Sequence, residues 1–259
     1  MKKKRFFKFY HIFICMAIYS YCNGQESIIK NFIFYSKSLD ESRSLTVYFP
    51  ENFNLENYYN VIICTDGQLI NELYKYKLDS IFSNNRISPF VIIGVNSNER
   101  IVQNSYLEYR NFEYLENMQS DDSDLNSRFE RHLNFFVNEV NEYIKEELNL
   151  KINSKFFYGV SNGAAFGVSI AKYYHELFSK YILYSMAGEN YKNLKRNHSK
   201  YPFFIIRYGN NEAKSLIKNN KKFSKYLTAK RYQHIMKSYK GGHNREDWLN
   251  LFIMDIENL

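Results

Sequence analysis

Short apolar runs, separated by polar and amphipathic stretches, set the pattern of this chain. Each run is continuous and rich in Ile, Val, Phe and Tyr, which is typical of strands buried in a parallel sheet. The runs predict strands at residues 59–64, 89–95, 155–158, 181–185 and 203–208, and the more polar segment 231–238 is interpreted as a last strand. Two more strand-like segments, 28–35 and 44–49, flank the polar residues 37–43 and predict a leading antiparallel hairpin.

Helical periodicity fills the intervals between these strands. The predicted helices are 69–82, 125–148, 162–177, 219–228 and 245–256. The second carries Phe129, Leu133 and Phe136 at helical spacing, so its aromatic stripe is interpreted as core packing. Strands alternating with helices indicate an α/β fold with a mostly parallel, doubly wound sheet, and one domain over 25–259 is the simplest organisation. Residues 96–124 are polar and irregular, which is typical of a functional or disordered loop.

The N-terminus has the layout of a cleaved signal peptide. Residues 1–8 are basic and residues 9–21 are apolar, and cleavage after Gly24 gives a leader of residues 1–24. The pattern predicts export without stable membrane association after cleavage. A lipoprotein cysteine at Cys22 is disfavoured because Tyr21 is bulky, and an uncleaved anchor or a buried strand is the remaining alternative.

Charge and cysteine content narrow the function classes. The formal net charge is +8, but residues 1–24 hold five basic residues and no acid, which leaves 30 basic and 27 acidic residues in the rest. This balance gives little support for nucleic-acid binding. Cys15 and Cys22 belong to the leader, so Cys64 stands alone and is expected to be an inert core thiol. We expect no metal site and no cofactor.

Ser161 lies in the pattern Gly159-x-Ser161-x-Gly163, between a predicted strand and a predicted helix. A serine on such a turn has a strained backbone and an exposed hydroxyl, and the helix N-terminus faces whatever it attacks. We therefore predict that Ser161 is a catalytic nucleophile. The alternative is an ordinary turn, because the pattern also occurs by chance.

A serine nucleophile needs a base, and the base needs an acid. His243 follows the last strand and two glycines, at the sheet edge where such folds collect functional groups, whereas a surface-loop histidine is the alternative. Glu212 follows the strand 203–208 and is the favoured acid, with Glu189 as second choice. A helix N-terminal role is the alternative for Glu212.

Two backbone N–H groups are expected to stabilise a developing oxyanion. One belongs to Asn162, after the serine, and the other to Gln68, after the strand 59–64. Arg110 and Glu113, within the long polar loop, and Trp248, the only tryptophan, are candidates for the substrate side. For the first two, a solvated loop with a local ion pair is the equally weighted alternative.

Several of these motifs together resemble the putative esterase family of α/β-hydrolases, which includes esterase D, enterochelin and feruloyl esterases and antigen 85. The resemblance lies in the segments 66–68 and 91–95, in Arg110-x-x-Glu113-Tyr114, in the serine turn 159–164 and in Gly241-Gly242-His243 with Trp248. It implies an α/β-hydrolase fold, with Ser161 as nucleophile, His243 as base and Glu212 as acid. Many relatives have Asp at that last position.

The leading function is a secreted carboxylic-ester hydrolase that works through an acyl-enzyme on a small-molecule or glycan ester, such as an acylated polysaccharide or a siderophore ester. Two alternatives stand beside it. The same site supports acyl transfer to an alcohol other than water, and a hydrolase fold can also serve as a non-catalytic binding protein.

Overall fold

The structure of the chain, a computed structural model, describes residues 26–83, 87–197 and 202–259. The predicted leader at 1–24 and its cleavage site lie outside the described residues. None of the helices in these ranges combines the length and the hydropathy that crossing a bilayer requires.

One mixed sheet organises the described residues, and its strands lie in the order β1-β2-β4-β3-β5-β6-β7-β8. The strands are β1 (Ile28–Ser36), β2 (Glu41–Phe49), β3 (Tyr58–Thr65), β4 (Phe90–Val95), β5 (Lys151–Val160), β6 (Lys180–Tyr184), β7 (Phe203–Gly209) and β8 (His234–Tyr239). β1 pairs with β2, and β2 with β4, in antiparallel fashion. The other neighbours are parallel. The predicted mostly parallel sheet with a leading hairpin is confirmed.

Helices cover both faces of this sheet. They are α1 (Glu72–Phe82), α2 (Tyr109–Tyr114), α3 (Ser123–Asn126), α4 (Arg128–Asn134), α5 (Val140–Glu146), α6 (Asn162–Tyr173), α7 (Lys214–Ala229) and α8 (Arg245–Ile256). Along β3 the side chains alternate, so Val61 and Ile63 pack into one core while Ile62 and Cys64 pack into the other. Cys64 is buried and unpaired, as predicted, and burial raises the pKa of its thiol.

The predicted helix at 125–148 is interrupted. A π-helical segment, Phe135–Glu139, separates α4 from α5, and α3 is a separate turn before them. Phe135, Phe136 and Val137, the first three residues of this segment, are all buried. The prediction of one continuous helix over 125–148 was wrong, because the backbone widens to a π-helical turn at this segment.

Other boundaries also differ from the prediction. The helix at 69–82 begins only at Glu72, after a 3₁₀ turn at Gly67–Leu69, because Asn71 caps it by accepting from the N–H groups of Leu73 and Tyr74. The helix at 162–177 ends at Tyr173, and the helix at 219–228 extends over Lys214–Ala229.

The polar stretch 96–124 is not wholly irregular, because it contains α2. A capping box, in which Glu108 and Asn111 exchange side-chain to backbone bonds, begins this short helix. Phe112, Glu113 and Tyr114 on α2 are buried. A buried glutamate in a polar sequence hides the helical pattern, so the sequence did not reveal this element.

The parallel strands β3, β5, β6, β7 and β8 all end at the same edge of the sheet. In parallel α/β sheets this edge is where ligands bind. The loops that follow these strands carry the predicted site residues, and the fold therefore brings distant parts of the sequence together there.

Candidate active site

Ser161 is the single residue that connects β5, which ends at Val160, to α6, which begins at Asn162. Its φ of 53° and ψ of −121° lie in a region that non-glycine residues rarely adopt. A hydrogen bond of 2.9 Å from its N–H to the Tyr184 carbonyl anchors the turn to β6. This strand–turn–helix arrangement presents a serine hydroxyl at the sheet edge.

The flanking glycines are required by close backbone approach. A Cβ on Gly159 would lie 2.5 Å from the carbonyl oxygen of Gly163, and a Cβ on Gly163 would lie 2.2 Å from Thr65 Oγ1. These separations are far below van der Waals contact. Any larger residue would push the serine turn away from β3.

His243 comes from the loop between β8 and α8 and reaches the serine. Its Nε2 is 3.1 Å from Ser161 Oγ, a hydrogen-bond distance, and its side chain is 37% exposed. The Trp248 ring packs edge-on against the imidazole, with centroids 4.7 Å apart and planes at 86°. The structure thus joins two side chains that are 82 positions apart in the sequence.

Glu212 lies in the loop between β7 and α7 and contacts His243. Its side chain is fully buried, and Oε1 lies 3.4 Å from Nδ1 of His243. Burial pushes the pKa of Glu212 upward, but hydrogen bonds from His243 and Ser185 outweigh that effect and hold the pKa below its ordinary value. A carboxylate beside Nδ1 fixes the imidazole orientation and leaves Nε2 to face the serine.

The two predicted oxyanion donors belong to the residue after the serine and to a residue of the turn after β3. Asn162 is the first residue of α6, where helical N–H groups have no partner within the helix. Gln68 lies in the 3₁₀ turn after β3 and lines the same pocket as Ser161. The Gln68 side chain ties this turn to the loop after β4, since its Oε1 accepts from the Ser97 N–H at 3.0 Å and its Nε2 donates to Glu99 at 2.7 Å.

A pocket of about 230 Å³ surrounds the serine hydroxyl, and we call it the serine pocket. Its polar lining includes Asp66, Glu99, Glu108, Arg110, His243 and Arg245. Arg110 donates twice to the buried carboxylate of Asp66, with Nη2 2.8 Å from Oδ2, and its guanidinium lies 4.7 Å from the centre of the Tyr114 ring. Bonds to Asp66 raise the pKa of Arg110 despite the opposing effect of burial.

Comparison with known proteins adds a family to this geometry. The model of the family described as "Putative esterase" matches residues 36–199, well over half of the chain. The chain belongs to the putative esterase family. Membership makes it a carboxylic ester hydrolase, and the sheet and helices described above are those of the α/β-hydrolase fold, as predicted.

Solved structures share this fold at low sequence identity. An IroE-like serine hydrolase from Shewanella oneidensis superposes with a TM-score of 0.71 at 17% identity, covering 89% of this chain and 79% of that one. A ferulic acid esterase from Anaeromyces mucronatus, in complex with ferulic acid, gives 0.67 at 15%, covering 89% and 90%. The siderophore hydrolase EstA from Aspergillus nidulans gives 0.66 at 13%, covering 89% and 94%. A search of curated proteins finds no match.

The match to the putative esterase family includes the serine turn but stops before Glu212 and His243. The spatial relation of these two residues to Ser161 therefore comes from the structure of this chain alone. Family membership and site geometry are independent observations.

Two predicted candidates lie elsewhere in this putative esterase. Glu113 does not line the serine pocket, because its fully buried side chain forms ion pairs with Arg43 at 2.6 Å and Arg128 at 2.8 Å. Glu189, the second choice for the acid, is at the surface and pairs with Lys192. Trp248, by contrast, lines the serine pocket as well as touching His243.

Two residues near Glu212, Ser185 and Tyr239, were missed from the sequence. Ser185, which follows β6 with a φ of 52°, donates to Glu212 Oε1 and accepts from Trp248 Nε1 at 2.9 Å. Tyr239 OH lies 3.3 Å from the same carboxylate oxygen and 3.1 Å from the indole nitrogen. The position of Ser185 directly after a buried parallel strand was the available signal, because site residues gather at strand ends.

Proposed function

We propose that this chain is a serine esterase in which Ser161, His243 and Glu212 form the catalytic triad. The observation that carries the proposal is the 3.1 Å contact between Ser161 Oγ and His243 Nε2, made on a backbone with positive φ. Family membership supports ester hydrolysis as the reaction, and the triad supplies its mechanism.

The reaction proceeds through an acyl-enzyme. Ser161 Oγ bonds to the ester carbonyl carbon while His243 Nε2 takes the hydroxyl proton. The tetrahedral intermediate then breaks its bond to the alcohol oxygen, which leaves with that proton. Water, deprotonated by His243, attacks the acyl-serine, and collapse of the second intermediate releases the carboxylic acid and returns the proton to Ser161.

The negative charge that develops on the carbonyl oxygen is stabilised by the N–H groups of Asn162 and Gln68. Such preorganised donors are worth about 10²–10³-fold in rate each. The low pKa of Glu212 keeps it ionised at neutral pH, so it stabilises the imidazolium that forms when His243 accepts the proton.

Labelling by a fluorophosphonate tests the nucleophile. We expect wild-type protein to be labelled and to hydrolyse p-nitrophenyl acetate, and Ser161→Ala to lose both, with kcat reduced about 10⁴-fold or more. Ser215→Ala, which removes an exposed hydroxyl on α7, is the matched control and should behave as wild type. Labelling that persists in Ser161→Ala rules the proposal out.

The substrate is proposed to be a small-molecule or glycan ester. Ferulic acid and siderophores, which appear in the names of the structural neighbours, define two classes to test. A panel of aryl, acetyl-sugar and trilactone esters should reveal one class with a kcat/KM well above the others. Added alcohol acceptors show whether acyl transfer competes with hydrolysis.

We further propose that residues 1–24 direct export and that 25–259 form one domain. The basic and apolar segments of the leader support this. N-terminal sequencing of protein recovered outside the cytoplasm should begin at Gln25. Protein that begins at Met1 and stays with the cytoplasmic fraction contradicts export.

A further inference from the structure

A second cavity adjoins the serine pocket and differs from it in chemistry. This cavity, of about 260 Å³, lies between α1 and the first turns of α8, and we call it the apolar cavity. Most of its lining is nonpolar, supplied by Leu69, Leu73, Tyr74, Tyr158, Val160 and Leu249. Of these, Tyr74, Tyr158, Val160 and Leu249 are buried, so the walls are set by the packed core beneath the sheet edge.

The two spaces are neighbours because they share walls. Gln68, Leu69, Val160, Arg245 and Trp248 line both. Val160 directly precedes Ser161, and Gln68 carries one of the proposed oxyanion N–H groups. A group attached to a carbonyl carbon held at Ser161 therefore has a short path into the apolar cavity.

The position of His243 determines which of the two spaces receives the alcohol half of an ester and which receives the acyl group. His243 lines the serine pocket but not the apolar cavity. Because the imidazole must deliver its proton to the leaving oxygen, the alcohol half has to lie in the serine pocket, among Glu99, Glu108 and Arg110. The remaining substituent of the carbonyl carbon, the acyl group, is then left facing the apolar cavity.

We propose that the apolar cavity binds the acyl group of the ester, and that this group is a nonpolar chain or ring larger than acetyl. The inference rests on the proposed function. The size agrees, since an apolar cavity of about 150 Å³ holds one benzene, and the apolar cavity is larger. An acetyl group would leave most of this nonpolar surface in contact with water.

Acyl chain length gives a direct test, with p-nitrophenol as a constant leaving group. We expect kcat/KM of the wild-type protein to rise about fourfold per methylene from acetate to butanoate and hexanoate, and to level off when the cavity is full. Leu73→Trp places a large ring at the cavity mouth. It should lower the hexanoate-to-acetate ratio of kcat/KM at least tenfold.

Tyr76→Trp is the matched control, because Tyr76 is exposed on the same helix α1 and does not line the cavity. It should keep the wild-type ratio. Alkylboronic acids provide a measurement on unmodified protein, and the inhibition constant should fall from methyl- to butylboronic acid. This second measurement stands even where Leu73→Trp fails to fold.

A flat chain-length profile in wild-type protein, an inhibition constant independent of alkyl length, or an unchanged ratio in folded Leu73→Trp overturns the inference. So does a kcat/KM that follows the length of the alcohol and ignores the acyl group. In each of these cases Ser161-dependent hydrolysis of p-nitrophenyl acetate would leave the proposed function intact. Hydrolysis that survives in Ser161→Ala instead removes the proposed function, and this inference with it.

Discussion

The carboxylate of Glu212 is held by side chains from three other elements. Trp248 Nε1 can only donate, so the bond it gives to Ser185 Oγ directs the Ser185 hydrogen toward Glu212. Tyr239 OH donates to the Gly242 carbonyl at 2.8 Å and so ties the same cluster to the loop that carries His243. The cluster therefore fixes both the charge and the position of Glu212.

Removing the Ser185 hydroxyl should change the pKa of Glu212, the proposed acid of the triad. In Ser185→Ala, Glu212 loses a hydrogen bond that lowers its pKa, so the pKa of its carboxyl group should rise. We expect kcat/KM at neutral pH to fall about tenfold. A carbon NMR titration of the Glu212 carboxyl group measures the pKa, and initial-rate kinetics measure kcat/KM.

Ser169→Ala is the control for that experiment. It removes an equally buried hydroxyl, which bonds to Asn190 instead of Glu212, and should leave the pKa of Glu212 unchanged. A Glu212 pKa that does not rise in Ser185→Ala would show that Ser185 has no influence on the carboxylate.

The buried ion pairs of Glu113 with Arg43 and Arg128 indicate a structural role. Replacement by glutamine keeps its shape but leaves the buried guanidiniums of Arg43 and Arg128 with Glu41 as their remaining carboxylate partner. Breaking a buried ion pair in this way costs about 3–5 kcal/mol. Urea denaturation of Glu113→Gln should show that loss in the free energy of unfolding.

Glu176→Gln, at an exposed glutamate, should change the free energy of unfolding by less than about 0.5 kcal/mol. A Glu113→Gln variant as stable as this control would mean that the two arginines find other partners. The sequence could not separate these two glutamates, because burial of a charged residue depends on partners that are distant in the chain.

At the scale of elements, the serine turn depends on its contact with the end of β3. A Cβ at Gly163 would meet Thr65 Oγ1 at 2.2 Å and Asp66 Oδ2 at 3.1 Å. Gly163→Ala must therefore separate the serine turn from the turn that carries Gln68. We expect a loss of about 1–3 kcal/mol in the free energy of unfolding and a fall in kcat.

Gly242→Ala is the matched control for stability, since its added Cβ would meet only Asn244 Nδ2, at 3.9 Å. Its free energy of unfolding should stay within about 0.5 kcal/mol of wild type. Equal stability of the two variants in a denaturant titration would contradict the steric account of Gly163.

Elements with strong periodic patterns were predictable, and those set by tertiary contacts were not. β3 and β4 stand out because continuous apolar runs are required where both faces are covered. The π-helical segment Phe135–Glu139 lies within a stretch whose apolar residues have the spacing of one regular helix, so the sequence did not reveal it. α2 was missed because its buried face includes a paired glutamate.

For the molecule as a whole, His132 links stability to pH. Burial lowers the pKa of His132 to about 3, and its nearest ionised neighbours are Glu113, Arg43 and Arg128. An unfolded histidine takes up a proton near pH 6.5, so the unfolded state binds more protons between these values. The free energy of unfolding should therefore fall by about 2–3 kcal/mol from pH 6.5 to 4.5 through this residue.

His132→Phe removes the titratable group and should therefore flatten that part of the stability profile. The phenyl ring should be accommodated, because the imidazole already packs against Tyr114 and Phe166, with centroids 5.4 and 5.0 Å away. His175→Phe, at an exposed histidine, should keep the wild-type slope. Denaturant titrations at several pH values measure the slopes. Equal slopes in wild type and His132→Phe would show that His132 does not carry the dependence.

The sequence predicted that the site residues meet at one sheet edge, but it did not predict the side chains that surround Glu212. Parallel strands all end at one edge, so residues that follow them, such as Ser161, Glu212 and His243, were expected to meet there. The bond from Ser185 to Glu212 and the bond from Tyr239 to the Gly242 carbonyl depend on side-chain directions that periodicity does not encode.

The edge-on packing of Trp248 against His243 has a practical consequence. Since this is the only tryptophan of the chain, all indole fluorescence comes from one ring in contact with the imidazole. The indole N–H also donates to Ser185, so the emission should be sensitive to changes in the side chains around Glu212. The protein thus carries an intrinsic optical reporter of ligand binding and side-chain movement beside His243, readable without a label.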